Sequence, residues 1–463
     1  MRPAGSFFVC IRPNRPRRHR NIYTLFRNFN IAKPTRLCYN ICEGIGFENK
    51  IYPNERRSDR MQPISLLMVG VGGYAGVYLK ELFQNPRGSR FTVVGAVDPY
   101  AGASPWYAEL QARNIPIYDT VEAFYAEHTA QMAIVVTPIY LHAQQAEYCM
   151  AHGSDVLCEK PLCASLADAA AMIAARDRTG RKLAVGFQWS FSAAILALKQ
   201  DILAGHFGKL RRLRTIVFFP RNLDYYHRGS GWAGKRYAKN GAPLLDSVTA
   251  NATAHYLHNL LFLTGPQLDR AAQPAEFSAE IYRANPIEMF DTCAMRVRTP
   301  DGAELLYYAT HAVPMNECYG PIFTVEGEAG TATMGYDANG RETLTADFAD
   351  GTHKDYGEPD ADYIRKLHVF ADAVANNAPL PCVAETALPH LELICALAQL
   401  YPETPVFPQA DVAFSEEAKQ YTVRGLGDAL KRCYAEGKLP HELGLSWAQP
   451  PRGGRIGERG DLQ

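Results

Sequence analysis

From Ile64 onward the chain alternates short, mainly apolar runs with stretches whose apolar residues recur every three or four positions. The runs Ile64–Val69, Phe91–Val97, Met132–Val136, Asp155–Cys158 and Leu183–Phe187 predict buried strands. Between them, Tyr74–Gln84, Leu141–His152 and Ser165–Thr179 carry helical spacing, the last closed by Gly180. Ser104 followed by Pro105 predicts an N-cap and first turn for a helix running through Arg113. Strand–helix alternation of this kind predicts a parallel, doubly wound sheet, because parallel neighbours need crossover helices.

After Gln188 the texture changes. Phe191–Ala204 is helical, and then longer strands follow at Leu210–Phe219, Ala275–Tyr282, Thr292–Arg298, Glu304–His311 and Phe323–Glu326. Turn signals such as Pro300-Asp301-Gly302 separate them, which predicts a mostly antiparallel sheet. Helical spacing returns at Ala361–Ala375 and Glu385–Leu400, and Ser415 is placed to cap a further helix over Glu416–Glu436, interrupted near Gly425 and Gly427. The expected fold is α/β: a Rossmann domain over 61–187, an α+β domain over 188–446 with a large, mostly antiparallel sheet, and a tail over 447–463.

Residues 1–60 stand apart. They hold a net charge of +9 against −9 for the remainder, with no helical or strand period. Arg-rich but with only Ser6 and Ser58, and without a sufficient apolar core, the segment fits neither a transit peptide nor a secretory signal. It is expected to be a disordered basic extension, with Met61 as a natural starting point. The acidic body argues against nucleic-acid binding, and no apolar run approaches membrane-spanning length. Eleven cysteines scattered without CxxC spacing predict neither a zinc site nor a disulfide framework, and favour a reducing, cytoplasmic setting.

Chemistry enters at Gly70-Val71-Gly72-Gly73-Tyr74-Ala75, which follows a strand and opens a helix. Glycines at the first and third positions permit a tight turn and close approach of the backbone to a pyrophosphate. A small residue, Ala75, lets the helix pack on the strand. Asp98, at the end of the second strand, is placed to bond the adenosine ribose and to repel a 2′-phosphate. NAD is therefore the expected cofactor, and NADP the less favoured one.

The sequence also carries Thr137-Pro138, His142, Cys158-Glu159-Lys160-Pro161-Leu162 and Val185-Gly186-Phe187-Gln188. Together with the glycine loop, these resemble the Gfo/Idh/MocA oxidoreductases over about Ile64 to Leu400. The resemblance implies cofactor contacts for Thr137, Pro138, His142, Glu159 and Gln188, and a catalytic Lys160 that polarises or relays a proton. It implies a second catalytic group at His255, within His255-Tyr256-Leu257-His258-Asn259. That family usually carries Asp four positions before this histidine; here Asn251 stands there, and the aspartate is Asp246. Either Asn251 has replaced the carboxylate, or the chain bends to bring Asp246 back. Lys235 is a further substrate candidate. The implied partner is a small sugar-like molecule, and a homo-oligomer formed through an exposed face of the second sheet.

Three activities remain open at this point: hydride transfer between NAD and a secondary alcohol of a sugar or cyclitol, a lyase or glycosidase using transient oxidation, and a non-catalytic dinucleotide sensor. Retention of Lys160 favours an enzyme.

Overall fold

The computed structural model describes residues 62–229 and 231–456. The basic extension over 1–60 lies outside the described residues, as does the end of the tail beyond residue 456.

Six parallel strands form the first sheet: β1 (Ile64–Val69), β2 (Phe91–Val97), β3 (Ile117–Tyr118), β4 (Met132–Val135), β5 (Asp155–Cys158) and β6 (Leu183–Val185), in the order β3-β2-β1-β4-β5-β6. Crossovers run through α1 (Ala75–Gln84), α2 (Tyr107–Ala112), α3 (Val121–Glu127), α4 (His142–Ala151) and α5 (Leu166–Thr179). Strand order reverses between β1 and β4, so their carboxyl ends open the crevice where such sheets bind ligands. Ser165 caps α5 by accepting from the Asp168 amide at 3.1 Å, and Gly180 closes it with φ of 65°. The Ser104 hydroxyl accepts from the Trp106 amide at 3.2 Å, as a cap does, and donates to Val71 O at 2.6 Å; the helix itself begins only at Tyr107.

The second sheet contains β7 (Leu210–Phe218), β8 (Glu276–Tyr282), β9 (Thr292–Arg298), β10 (Glu304–Thr310), β11 (Tyr319–Gly327), β12 (Gly330–Tyr336), β13 (Glu342–Phe348) and β14 (His353–Gly357). A hairpin of β15 (Val412–Ser415) and β16 (Gln420–Val423) stands outside it. The sheet's ninth strand is β17 (Arg452–Arg455), which pairs antiparallel with β8. Residues 452–455 of the expected tail are therefore part of the sheet; two glycines, Gly453 and Gly454, had hidden a strand held by backbone pairing rather than by its side chains. Every neighbouring pair in this sheet is antiparallel except β7 with β10.

The remaining helices are α6 (Ala193–Leu203), α7 (Leu223–His227), α8 (Ala254–Leu263), α9 (Arg365–Asn376), α10 (Ala384–Leu400) and α11 (Leu426–Glu436). Ser415 begins no helix, because it sits in the β15–β16 hairpin. Period-two alternation places Leu213, Val217, Leu305 and Tyr307 on the face covered by α8 and α10. Ile216, Phe218, Leu306 and Tyr308 point the other way, onto Leu426, Leu430 and Cys433 of α11. The face implied to be open for subunit pairing is thus covered over β7 and β10 by the chain's own helix. In contrast, α9 and the start of α10 leave the second sheet and pack Leu367, Phe370, Ala371, Ala384 and Ala387 into the core of the first.

Leu430 is fully buried between α11 and the sheet. Leu430→Ala should cost about 2–5 kcal/mol in urea unfolding, whereas a change within error would show that α11 does not pack there.

Candidate active site

The glycine loop is shaped by contacts that exclude side chains. Gly70 adopts φ of 93°, and a Cβ there would lie 2.7 Å from Val136 O, so β1 and β4 can close only around glycine. Gly72 is different: a Cβ would meet nothing within 4 Å, which leaves its backbone open to an approaching group. Among the described residues, the amides of Gly72, Gly73 and Tyr74 donate to no other group, while those of Ala75 and Gly76 turn back into the loop. Three free amides at the positive end of α1 fit a pyrophosphate. Asp98 braces this loop, accepting from the Val71 amide at 3.0 Å and the Tyr100 amide at 2.9 Å. Each carboxylate oxygen retains a lone pair for a ribose hydroxyl. Ala75 is buried against the sheet, as a small residue there must be.

At the end of β5 the chain turns through Glu159 and Lys160. Glu159 is buried, accepts from the Tyr78 hydroxyl at 2.5 Å, and forms an ion pair with Lys366 of α9. Its other oxygen accepts from the Lys160 amide at 3.1 Å. The Lys366 ammonium also donates to the Tyr74 hydroxyl and to Gly186 O, each at 3.2 Å. Glu159 therefore orients the turn from inside the protein. His142 is likewise engaged within the protein. It is fully buried, with Nε2 2.9 Å from Thr137 O and Nδ1 3.0 Å from Pro161 O, and burial lowers its pKa. It ties the Thr137-Pro138 loop to the lysine turn. The Thr137 hydroxyl donates to Gln145 at 2.5 Å.

The Lys160 side chain crosses to the second domain. Nζ donates to Asn251 O at 2.7 Å and to Asn251 Oδ1 at 3.2 Å. Burial lowers the ammonium pKa to about 8, opposed by Glu159 and Asp246 and reinforced by Lys366 and Arg228. Asn251 Nδ2 in turn donates to Asp246 Oδ1 at 2.8 Å, and Asp246 Oδ2 accepts from the Gly234 amide at 2.6 Å. Residues 247–253 form turns, not helix, and α8 begins only at Ala254. The bend brings Asp246 back, yet onto Asn251 rather than onto His255.

His255 is buried with no partner for Nδ1, and its ring meets Phe187 edge-on at 5.9 Å. Burial, then the charges of Lys160 and Lys366, hold its pKa well below the usual range, so the ring is neutral. Two other candidates lie elsewhere. Lys235 is half exposed and pairs with Glu288 at 3.0 Å. Gln188 donates to Asp360 at 3.0 Å, a carboxylate also bonded by the Trp189 indole at 2.9 Å.

Residues 64–187 match the model of the Gfo/Idh/MocA oxidoreductase family, described as an NAD-binding Rossmann fold. Over that segment the chain is similar to the Gfo/Idh/MocA oxidoreductases. A protein of Amycolatopsis mediterranei named as a UDP-kanosamine synthase oxidoreductase subunit is 28% identical over 266 residues, covering 54% of this chain and 70% of that one. An inositol 2-dehydrogenase of Rhodococcus erythropolis is 29% identical over 149 residues, covering 32% of this chain and 42% of its own length. In fold, the chain is similar to the WlbA dehydrogenase of Bordetella pertussis, solved with NADH and UDP-GlcNAcA. The TM-score is 0.60 at 23% identity, over 73% of this chain and 96% of that one.

The structure brings Lys160, Asn251 and Asp246 into one hydrogen-bonded row. It moves His142 and Glu159 into a supporting layer and leaves Lys235 outside. Sequence reasoning missed Lys366, Tyr78 and Asp360. Lys366 offered one signal, a lone cation on the apolar side of a helix that otherwise buries Leu367, Phe370 and Ala371.

Two outcomes follow from this geometry. Asp98→Ala should weaken NAD binding and narrow its advantage over NADP in fluorescence titrations, because bracing and repulsion are lost together; unchanged selectivity would contradict it. Glu159→Gln should lower stability by about 3–5 kcal/mol by leaving Lys366 buried without its counter-charge. Adding Lys366→Met should restore part of that loss; strictly additive losses would show that the pair is not coupled.

Proposed function

We propose that the chain transfers hydride between NAD and a secondary-alcohol carbon of a sugar or cyclitol derivative. The observation that carries this reading is the Lys160 ammonium. It is held by Asn251 at the carboxyl edge of the sheet, with its pKa brought down to about 8. Such a group exchanges a proton near neutrality, as a general acid or base must.

When bound, the nicotinamide supplies the hydride acceptor or donor. The protein's part is to orient the alcohol and handle its proton. In the oxidising direction a neutral Lys160 amine takes the hydroxyl proton, and in the reducing direction the ammonium returns it. Asp246 accepts from the Asn251 carboxamide nitrogen and so turns its oxygen toward Lys160. Asn251 cannot itself carry the proton, which makes it a positioning residue. His255, held neutral by burial, is assigned as the second hydrogen-bond partner for the same hydroxyl. Similarity to an inositol dehydrogenase and to a UDP-kanosamine synthase subunit supports a polyhydroxylated substrate.

Sugars, inositols, uronic acids and nucleotide sugars should be screened with NAD by following absorbance of the reduced cofactor. Lys160→Met should lower turnover about 10²- to 10⁴-fold while NADH still binds. For oxidation, kcat/KM should rise as pH passes upward through about 8, where Lys160 loses its proton; for reduction it should fall over the same range. Wild-type turnover in Lys160→Met, or a flat profile in both directions, would overturn the assignment.

A further inference from the structure

Most arginines in the second sheet have carboxylate partners. Arg212 pairs with Glu304, Arg214 with Glu326 and Arg296 with Glu442. Two arginines beside the candidate active site do not. Arg221, three residues beyond β7, is buried, with only 8% of its surface exposed. Its Nη1 donates to Pro220 O at 3.0 Å, and its Nε has no partner. Arg228, just past α7, is half-buried and donates from Nη1 to Tyr225 O at 2.5 Å. Both guanidinium groups lie over the same ring, that of Tyr225, at 4.7 Å for Arg221 and 3.6 Å for Arg228. Among the described residues neither has a carboxylate in ion-pair contact.

The pair sits where the domains meet. The Arg221 amide donates to His311 O at 3.2 Å, at the carboxyl end of β10. Arg228 also lies over Trp232 at 4.9 Å, and Trp232 packs with Ile139 and Tyr140, which follow the Thr137-Pro138 turn of the NAD domain. The charge of Arg228 is felt at both Lys160 and Asp246. Asp246 does not neutralise it by direct contact, since its oxygens are bonded to Gly234 and Asn251. His311, held neutral chiefly by burial, adds no charge. Two neighbouring cations, one of them buried, are unfavourable until an anion joins them. Their planar forks match a carboxylate or a phosphate.

We propose that Arg221 and Arg228, stacked on Tyr225, form a subsite for an anionic group of the substrate, a carboxylate or a phosphate ester. This rests on the dehydrogenase reading above and narrows it: the substrate is a sugar acid or a phosphorylated sugar rather than a neutral sugar. Arginine rather than lysine supplies the charge because the flat guanidinium keeps its outer N–H groups available while its face rests on the aromatic ring.

The test uses the full chain loaded with NADH and three probes measured by calorimetry: D-glucuronate for a carboxylate, UDP for a diphosphate, and D-glucose as the neutral control. At least one anion should bind more tightly than glucose. Arg228→Gln should weaken that anion about tenfold or more without altering glucose, while Arg228→Lys should recover part of the loss. Whichever of glucuronate or UDP depends on Arg228 identifies the source of the anion. Arg221→Gln should act in the same direction; if that variant does not fold, the half-buried Arg228 still decides. Anions no tighter than glucose, or anion binding indifferent to Arg228→Gln, would overturn the subsite. NADH loading is read separately by fluorescence. Its failure would count against the dehydrogenase reading, and the anion arms would then be scored by their dependence on Arg228 in the cofactor-free chain.

Discussion

One buried carboxylate joins the parts on which the candidate site depends. Glu159 receives the Tyr78 hydroxyl from the helix that follows the glycine loop, the Lys366 ammonium from α9, and the backbone amide of Lys160. A carboxylate can be kept inside a protein only when such donors surround it. The same donors fix three elements relative to one another. Through them the nucleotide loop, the lysine turn and a helix from the far end of the chain share one geometry. Close packing at Gly186, where a Cβ would lie 2.8 Å from Glu159 Oε1, leaves the carboxylate little room to move.

A second constraint acts from the other domain. The turns over 247–253 let Asp246 and Asn251 act in series, and the row ends on the Lys160 ammonium. Replacing carboxylate by carboxamide beside the lysine has a clear electrostatic effect. A charged neighbour in direct contact would stabilise the ammonium strongly, whereas Asn251 accepts its hydrogen bonds without adding charge. Burial and the nearby cations then prevail, and the pKa comes down to about 8. Asp246, one step removed, still raises it.

The large sheet serves this site by its ends and is stabilised by its faces. Its inner face packs on α8, which carries His255, and its outer face on α11. Covering the outer face from within the chain satisfies the apolar side chains of β7 and β10 without a second subunit. The ends of β7 and β10 meanwhile deliver Arg221 and His311 to the seam between the domains.

Much of this was legible from the sequence, and for a physical reason: local order is written in local pattern. Buried parallel strands read as apolar runs, the glycine loop as a need for positive φ and close approach, and Lys160 as a cation in a specific run of neighbours. Strand β3 and strands β12 to β17 were not legible: β3 is two residues long, β12 and β17 carry glycines, and the others are polar or short and held by backbone pairing that leaves little side-chain signal. Partnerships were the larger omission. Glu159 meets a lysine 207 positions away, and Lys160 an asparagine 91 positions away. Sequence spacing offered Asn251 or Asp246 as a partner for His255, whereas the bend at 247–253 gave Asn251 to Lys160 and Asp246 to Asn251. Which residues carry charge was set by the sequence alone; which of those charges are buried, paired or left facing a ligand was decided only when the chain closed on itself.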